Sequence, residues 1–502
     1  MPLFHRNHFP PSFREPSEAG SSRVVQKQII PSKDMAPTMA DGLDALFKPK
    51  SVALVGASAD PSKLSHVALK NLSAGEFKLF PVNPKEREIL GLRCYPSVLD
   101  IPDRVDLALV SLPAEATVVP IKQCVEKGVG VVIVTASGFR ESGAKGAELE
   151  HELLRALKGS GTRLLGPNTM GILVPSIGLD TLFIPRERSE RPKSGGVALL
   201  SQSGAVSVSS LEKARFSGLG VSVAIGLGNK ADIEENELLE YLASDDRTTC
   251  IAMYLESFSN GREFVDLTRS ISQRKPVVLL KSGRTPSGMH AAGSHTGAIA
   301  TSSDAMVDGA LAQAGVARVY DEEELIDVAK ALALIDHING ERVCVVASAG
   351  GYGVIATDLV ESAEHGAGLS MAQLSNRTMA SLRSVVPGFS SVTNPVDLTA
   401  SVTDEMYDAV LGILQEDPAT DGILMSLELQ PPKVTDRLLE VAQRRSHEGR
   451  VPIVVTTFAG DRTDEIVRAY GERGVLAYPT LWRGVRALGA LARRGRYLAR
   501  RK

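Results

Sequence analysis

A chain of 502 residues is too long for a single hydrophobic core and is expected to divide into about three domains. Its formal net charge of -3 supplies no global pull toward nucleic acid or an anionic membrane, and no apolar run approaches the roughly 20 residues of a membrane span. With 45 glycines and 43% hydrophobic but only 5% aromatic residues, the composition suits aliphatic parallel strands joined by tight turns; the four cysteines, scattered without metal-ligand spacing, read as reduced thiols of a cytoplasmic protein.

Residues 1–44 are rich in Pro, Ser and Arg and lack a hydrophobic period, so a disordered tail is expected there. A basic targeting arm is the lesser reading, and Met35 or Met39 are alternative starts. The first periodic unit is expected over 45–175. It opens with the aliphatic strand Ser51–Val55, the small-residue turn Gly56-Ala57-Ser58-Ala59 and a helix from about Ser65 to Leu72. Strand, turn and helix N-terminus together present unpaired backbone N–H groups, which attract an anion. The turn is not GxGxxG, so a nicotinamide dinucleotide is disfavoured. Three further strands end near Lys85, Ala114 and Phe139, the last running through Thr135-Ala136-Ser137. Ligands of open α/β sheets collect at such carboxyl ends. There Lys85 is either a solvated lysine or a phosphate contact.

Residues 176–194 break into Pro/Arg/Glu/Ser-rich sequence and are expected to be a linker. The second unit, 195–338, begins with a strand ending in Ser201-Gln202-Ser203-Gly204, where two hydroxyls and a helix N-terminus are expected to face a phosphoryl group. The strand from Cys250 places Glu256 at its carboxyl end, either beside a helix N-terminus or as the orienting partner of a ring nitrogen. The strand from Pro276 leads into Gly288–Ala300, where His295 stands among Gly, Ser, Thr and Ala. That composition fits neither period and predicts a loop. Neutral imidazole, with a pKa of about 6.5, is a nucleophile near neutrality. Taken singly, such a residue reads more simply as a capping or solvent-facing histidine.

The third unit, 341–492, opens with Arg342–Gly353, again strand, Gly-rich turn and helix, and ends in a helix near Arg483–Ala492. A basic tail, 493–502, is expected to be solvated. Recurrent strand-turn-helix predicts parallel α/β sheets in all three units.

Over about residues 43–490 these parts, in this order, resemble the nucleoside-diphosphate-forming acyl-CoA synthetases, the superfamily of succinyl-CoA synthetase and ADP-forming acetate–CoA ligase. The run Ser294-His295-Thr296-Gly297-Ala298 is similar to the superfamily's phosphohistidine loop. The resemblance implies a Rossmann-like CoA-binding domain followed by two flavodoxin-like, succinyl-CoA synthetase-like domains. It puts coenzyme A on Gly56, Ala57, Ser58, Ala59, Lys85, Thr135, Ala136 and Ser137. It makes His295 the phosphorylated residue, Glu256 the carboxylate holding its ring, and Ser201, Ser203 and Gly204 the helix N-terminus receiving the phosphoryl group. The implied reaction interconverts acyl-CoA, phosphate and ADP with carboxylic acid, CoA and ATP through an acyl phosphate. Nothing resembles an ATP-grasp domain, so a separate ATP-grasp β-type subunit is implied, binding ATP or ADP with Mg2+ in a hetero-oligomer. Val208 replaces a substrate-side tyrosine, so succinate is not implied as the acid; Ser65 stands where the CoA-domain pattern has glycine. The alternative is a non-catalytic regulatory protein that binds CoA or acyl-CoA on the same fold.

Overall fold

Three runs of aliphatic strands form three open sheets in the computed structural model, which describes residues 42–296, 303–362 and 368–500. In the first, β1 (Ser51–Val55) and β2 (Lys78–Val82) precede a small hairpin of β3 (Glu88–Ile89) and β4 (Leu92–Arg93). Strands β5 (Leu107–Val110), β6 (Val131–Val134) and β7 (Arg163–Leu165) complete a parallel sheet of order β2-β1-β5-β6-β7. The second sheet comprises β8 (Ile172–Val174), β9 (Leu179–Asp180), β10 (Ser194–Ser201), β11 (Val221–Gly226), β12 (Cys250–Leu255), β13 (Val277–Lys281) and β14 (Ala317–Val319). Its order is β14-β13-β12-β10-β11-β8-β9. The third is built from β15 (Arg342–Ala347), β16 (Ser370–Met371), β17 (Val396–Asp397), β18 (Gly422–Glu428), β19 (Ile453–Phe458) and β20 (Leu476–Tyr478), ordered β16-β15-β18-β19-β20 with β17 also beside β15.

In every sheet the first long parallel strand (β1, β10, β15) lies between its successor on one side and a later strand on the other. The chain changes its direction of travel across the sheet there, and a crevice opens at the carboxyl ends. Strands β1, β5 and β6 are buried along their whole length. Covered on both faces, they read as continuous aliphatic runs without alternation. Polar side chains fix several helix starts: Asn260 accepts from the Glu263 N–H, Asp321 from the Glu324 N–H and Thr480 from the Arg483 N–H. The α/β class and flavodoxin-like sheets agree with expectation.

Three stretches depart from it. The expected linker 176–194 contains β9, which pairs antiparallel with β8 at the edge of the second sheet, so that sheet is not wholly parallel. Asp180 is fully buried there between Arg186 and Arg191, and Asn71 donates to the carbonyls of Leu182 and Ile184. The Asn71 bonds pin the segment against the first unit, and the β9–β8 pairing ties it to the second sheet. The expected tail lies outside the described residues up to 41. Leu43, however, is buried with Leu46 and Phe47, whose ring stacks on Tyr241 at 4.0 Å between centroids, so packing begins before residue 45. Nor is the basic C-terminus a solvated tail: the last helix runs Leu481–Ala499, and buried Arg494 binds Asp336 at 2.6 Å and the Ser272 carbonyl at 2.7 Å.

All four cysteines are buried and free, burial pushing the thiols of Cys124 and Cys250 up to about 12. No helix among the described residues is long and apolar enough to cross a membrane.

Arg163 ties the first sheet to the second. Its guanidinium donates to Asp232 Oδ2 at 3.0 Å and Oδ1 at 2.9 Å, and to Glu237 Oε1 at 2.6 Å and Oε2 at 2.9 Å. Arg163→Met would leave two carboxylates facing each other without their cation, one of them almost fully buried. The expected cost is about 3 kcal/mol, read as a lowered urea midpoint at pH 7.

Candidate active site

Register brings the expected residues of the second sheet to one edge. Ser201 pairs with Gly226 and with Tyr254, and Leu255 with Lys281, so β10, β11, β12 and β13 finish nearly level. The residues that follow, Gln202-Ser203, Leu227–Lys230, Glu256-Ser257 and Ser282, emerge together at the crevice. Ser203 is extended, and the helix Gly204–Phe216 starts directly after it with no side-chain cap. Its leading N–H groups therefore keep their capacity for an anion. Ser201 also supports the turn itself. Its hydroxyl donates to the Ser203 carbonyl at 2.7 Å, so its proton serves the turn.

Glu256 is buried, with 4% of its surface exposed, across the crevice from that turn. Its backbone is held from both sides. Gln202 Oε1 accepts from the N–H groups of Glu256 at 2.9 Å and Ser257 at 3.2 Å, while Lys281 Nζ donates to the carbonyls of Glu256 at 2.6 Å and Ser282 at 2.5 Å. The Tyr254 hydroxyl donates to Glu256 Oε1 at 3.2 Å and accepts from the Ser282 hydroxyl at 3.1 Å. Gln202, Tyr254, Lys281 and Ser282 were not among the sequence candidates. Their one local signal is a polar side chain at or just beyond the end of an aliphatic strand.

Burial lowers the Lys281 pKa to about 8, with the nearby Arg318 cation adding to the shift. The folded protein therefore loses this proton near pH 8, whereas the unfolded chain keeps it to about 10.4. Between those values the unfolded state binds more protons, and stability from this group rises with pH. Relative to Lys281→Met, the wild type should gain stability between pH 8 and 10, as measured by urea unfolding of both proteins at each pH.

Position 295 lies in the last turn of a helix, Pro286–Thr296, and not in the expected loop. Pro286 at the first position and Met289, Ala291 and Ala292 favour the helix strongly enough to outweigh Gly288 and Gly293. The side chains of 294–296, and all of residues 297–302, lie outside the described residues. The flanks are joined: Arg284 Nε meets Asp304 Oδ2 at 3.2 Å, and Arg318 also binds Asp304.

A second edge forms on the first sheet. Val55 pairs with Val82 and Val110, and Val110 with Val134, which aligns Gly56–Ala59, Asn83–Lys85, Ser111 and Thr135–Ser137. The eight residues expected to meet a cofactor thus share one rim. Asn83 Nδ2 donates to the Ala57 carbonyl at 2.7 Å, and His66 Nδ1 lies 2.9 Å from the Ser58 carbonyl, two supports the sequence did not reveal. Lys85 is exposed beside them. Gly56 has φ +86°, and a Cβ there would lie 2.5 Å from the Ser111 carbonyl oxygen. Gly56→Ala should therefore displace the turn and weaken CoA binding at least about tenfold in a calorimetric titration. Among the described residues, no group of three or more His, Cys, Asp and Glu could hold a metal ion.

The chain is similar to known proteins along most of its length. Residues 50–175 match a CoA binding domain family, 194–332 a succinyl-CoA ligase like flavodoxin domain and 343–500 a ligase-CoA domain. The sequence is 35% identical to the Pyrococcus furiosus acetate–CoA ligase (ADP-forming) I subunit alpha over 92% of this chain and 99% of that relative. It is 36% identical to the Archaeoglobus fulgidus acetate–CoA ligase (ADP-forming) I, covering 91% of this chain but 64% of that longer protein. A solved structure of the Ca. Korarchaeum cryptofilum dinucleotide forming acetyl-coenzyme A synthetase 1, in complex with phosphate and ADP, matches with a TM-score of 0.84 and 34% identity, covering 92% of this chain and 99% of that one.

Proposed function

Because the chain belongs to the family of ADP-forming acetate–CoA ligases, matching one α subunit over 99% of its length, we propose that it is the α-type subunit of an acyl-CoA synthetase. Its substrates are a small carboxylic acid or its CoA thioester, with phosphate. A separate ATP-grasp β-type subunit holds ADP or ATP with Mg2+ in a cytoplasmic hetero-oligomer. One observation carries the reading: Glu256, the uncapped helix start after Ser203 and the helix bearing position 295 all spring from one rim of the second sheet.

In the proposed reaction a phosphate oxygen adds to the thioester carbonyl, the C–S bond breaks, and CoA leaves as its thiolate. An imidazole nitrogen of His295 then attacks the phosphorus of the acyl phosphate, and the carboxylate departs. Last, a β-phosphate oxygen of ADP takes the phosphoryl group and frees the ring. Glu256 accepts the N–H of the other ring nitrogen, fixing the tautomer and balancing the positive charge that develops. The N–H groups after Ser203 meet the phosphoryl dianion with fixed partial charge, which needs no reorganisation at the moment of transfer. Ser201 shapes that turn and Gly204 lets the backbone approach. Gly56, Ala57, Ser58, Ala59, Lys85, Thr135, Ala136 and Ser137 hold CoA on the first sheet, where the glycine cradle that no Cβ can enter supports the fit.

The test is incubation of the chain and an ATP-grasp partner with gamma-labelled ATP. Acid-labile label on the peptide containing His295 is the expected result. CoA binding with no label in any combination of subunits would overturn the proposal in favour of a non-catalytic CoA-binding role.

A further inference from the structure

A cavity of about 710 Å3 lies along the edge strand β14 and the amino-terminal end of β13, roofed by the helix Leu481–Ala499. It extends to Tyr320 and Glu324, just past the carboxyl end of β14, and shares Arg318 with the Asp304 clasp. Six arginines line it, Arg318, Arg486, Arg493, Arg494, Arg496 and Arg500, against two acids, Asp308 and Glu324.

Most of that charge is partly answered by neighbouring acids. Arg318 binds Asp304 and Asp308, Arg486 binds Glu324 and lies 3.7 Å from Asp321, Arg494 binds Asp336, and Arg496 binds Glu341. Two kinds of donor capacity are left over. Arg318 Nε and Arg494 Nη2 are buried with no hydrogen-bond partner, although each side chain is only 5% exposed. Arg493 and Arg500 are surface-exposed and make no ion pair among the described residues. Buried polar groups in a folded protein almost always find an acceptor, and charged ones most of all. Guanidinium forks match the paired oxygens of phosphate and carboxylate, and the volume lies within the range of small-molecule sites.

We propose that this cavity binds a small polyanion, a molecule carrying at least two phosphate or carboxylate groups, between the edge of the second sheet and the C-terminal helix. Guanidinium charge concentrated in the wall and two uncommitted cations at the rim, Arg493 and Arg500, suit an anion with more than one charged group, which a single-charge anion would leave half answered. Because Arg493 and Arg500, the side chains tested, take no part in the proposed chemistry, the proposal stands or falls separately from the synthetase reading.

Calorimetric titration of the isolated chain at about 0.15 M salt tests it, with pyrophosphate and citrate as the two probes. The comparison protein is the double variant Arg493→Gln/Arg500→Gln. These two exposed side chains break no ion pair, and a thermal melt checks that the variant folds. Saturable binding of either probe, weakened at least tenfold in the double variant and unchanged by Gly56→Ala, is the expected result. Pyrophosphate alone would identify a phosphate-bearing ligand, and citrate alone a polycarboxylate. Absence of binding by both probes, or equal binding by variant and parent, would overturn the proposal.

Discussion

With His295 replaced by alanine, phosphoryl transfer between acyl phosphate and ADP is expected to fall by about 10^4-fold or more, to background, while the melting temperature stays within a degree or two. In the proposed mechanism the covalent route divides one transfer into two shorter ones, with the His295 ring carrying the group between them. Loss of the nucleophile therefore removes the route and does not merely slow it. Stability should hold because position 295 closes a helix, where alanine is the better former by roughly 0.5 kcal/mol. A coupled assay for ATP formation and a thermal melt on the same sample measure both halves. Turnover within tenfold of the parent would remove the ring from the mechanism.

The second large effect is expected at Glu256. Glu256→Gln keeps shape and length, and the bonds from Gln202 and Lys281 reach main-chain atoms that the substitution leaves alone. The new amide oxygen still accepts from the Tyr254 hydroxyl. What is lost is the negative charge that, in the proposed mechanism, faces the His295 ring as it becomes cationic on phosphorylation. Removing one preorganised electrostatic partner typically costs 10^2 to 10^3 in rate, and about that reduction is expected in single-turnover labelling, with CoA affinity unchanged. A variant labelled as fast as the parent would return Glu256 to a purely structural role at the end of β12.

The parts of the molecule legible in the sequence are those where one local requirement leaves few solutions. Strands such as β5 and β6 lie in the sheet interior and must be aliphatic along their length, and the turn after β1 needs a glycine because φ is +86° beneath a neighbouring carbonyl. Where partners come from far along the chain, legibility ends. Gln202 and Lys281 act on the backbone of Glu256 from 54 and 25 residues away, and no local period announces that. Arg494 looked solvated because its partners, Asp336 and the Ser272 carbonyl, stand 158 and 222 residues back. The β8–β9 hairpin was hidden for another reason: its strands are three and two residues long, and what secures them is the burial of Asp180 between two arginines. At 288–296 the small residues suggested a turn, yet alanine is small and also the strongest helix former.

The clasp of Arg284 and Arg318 on Asp304 sets a leash for residue 295. About nine peptide units separate 295 from Asp304, and a fully drawn-out chain gains no more than roughly 3.5 Å per unit, so the ring cannot travel beyond about 30 Å from that anchor. In the proposed synthetase, the subunit that receives the phosphoryl group must bring its own pocket inside this radius, and docking poses that leave it outside are ruled out by covalent geometry alone.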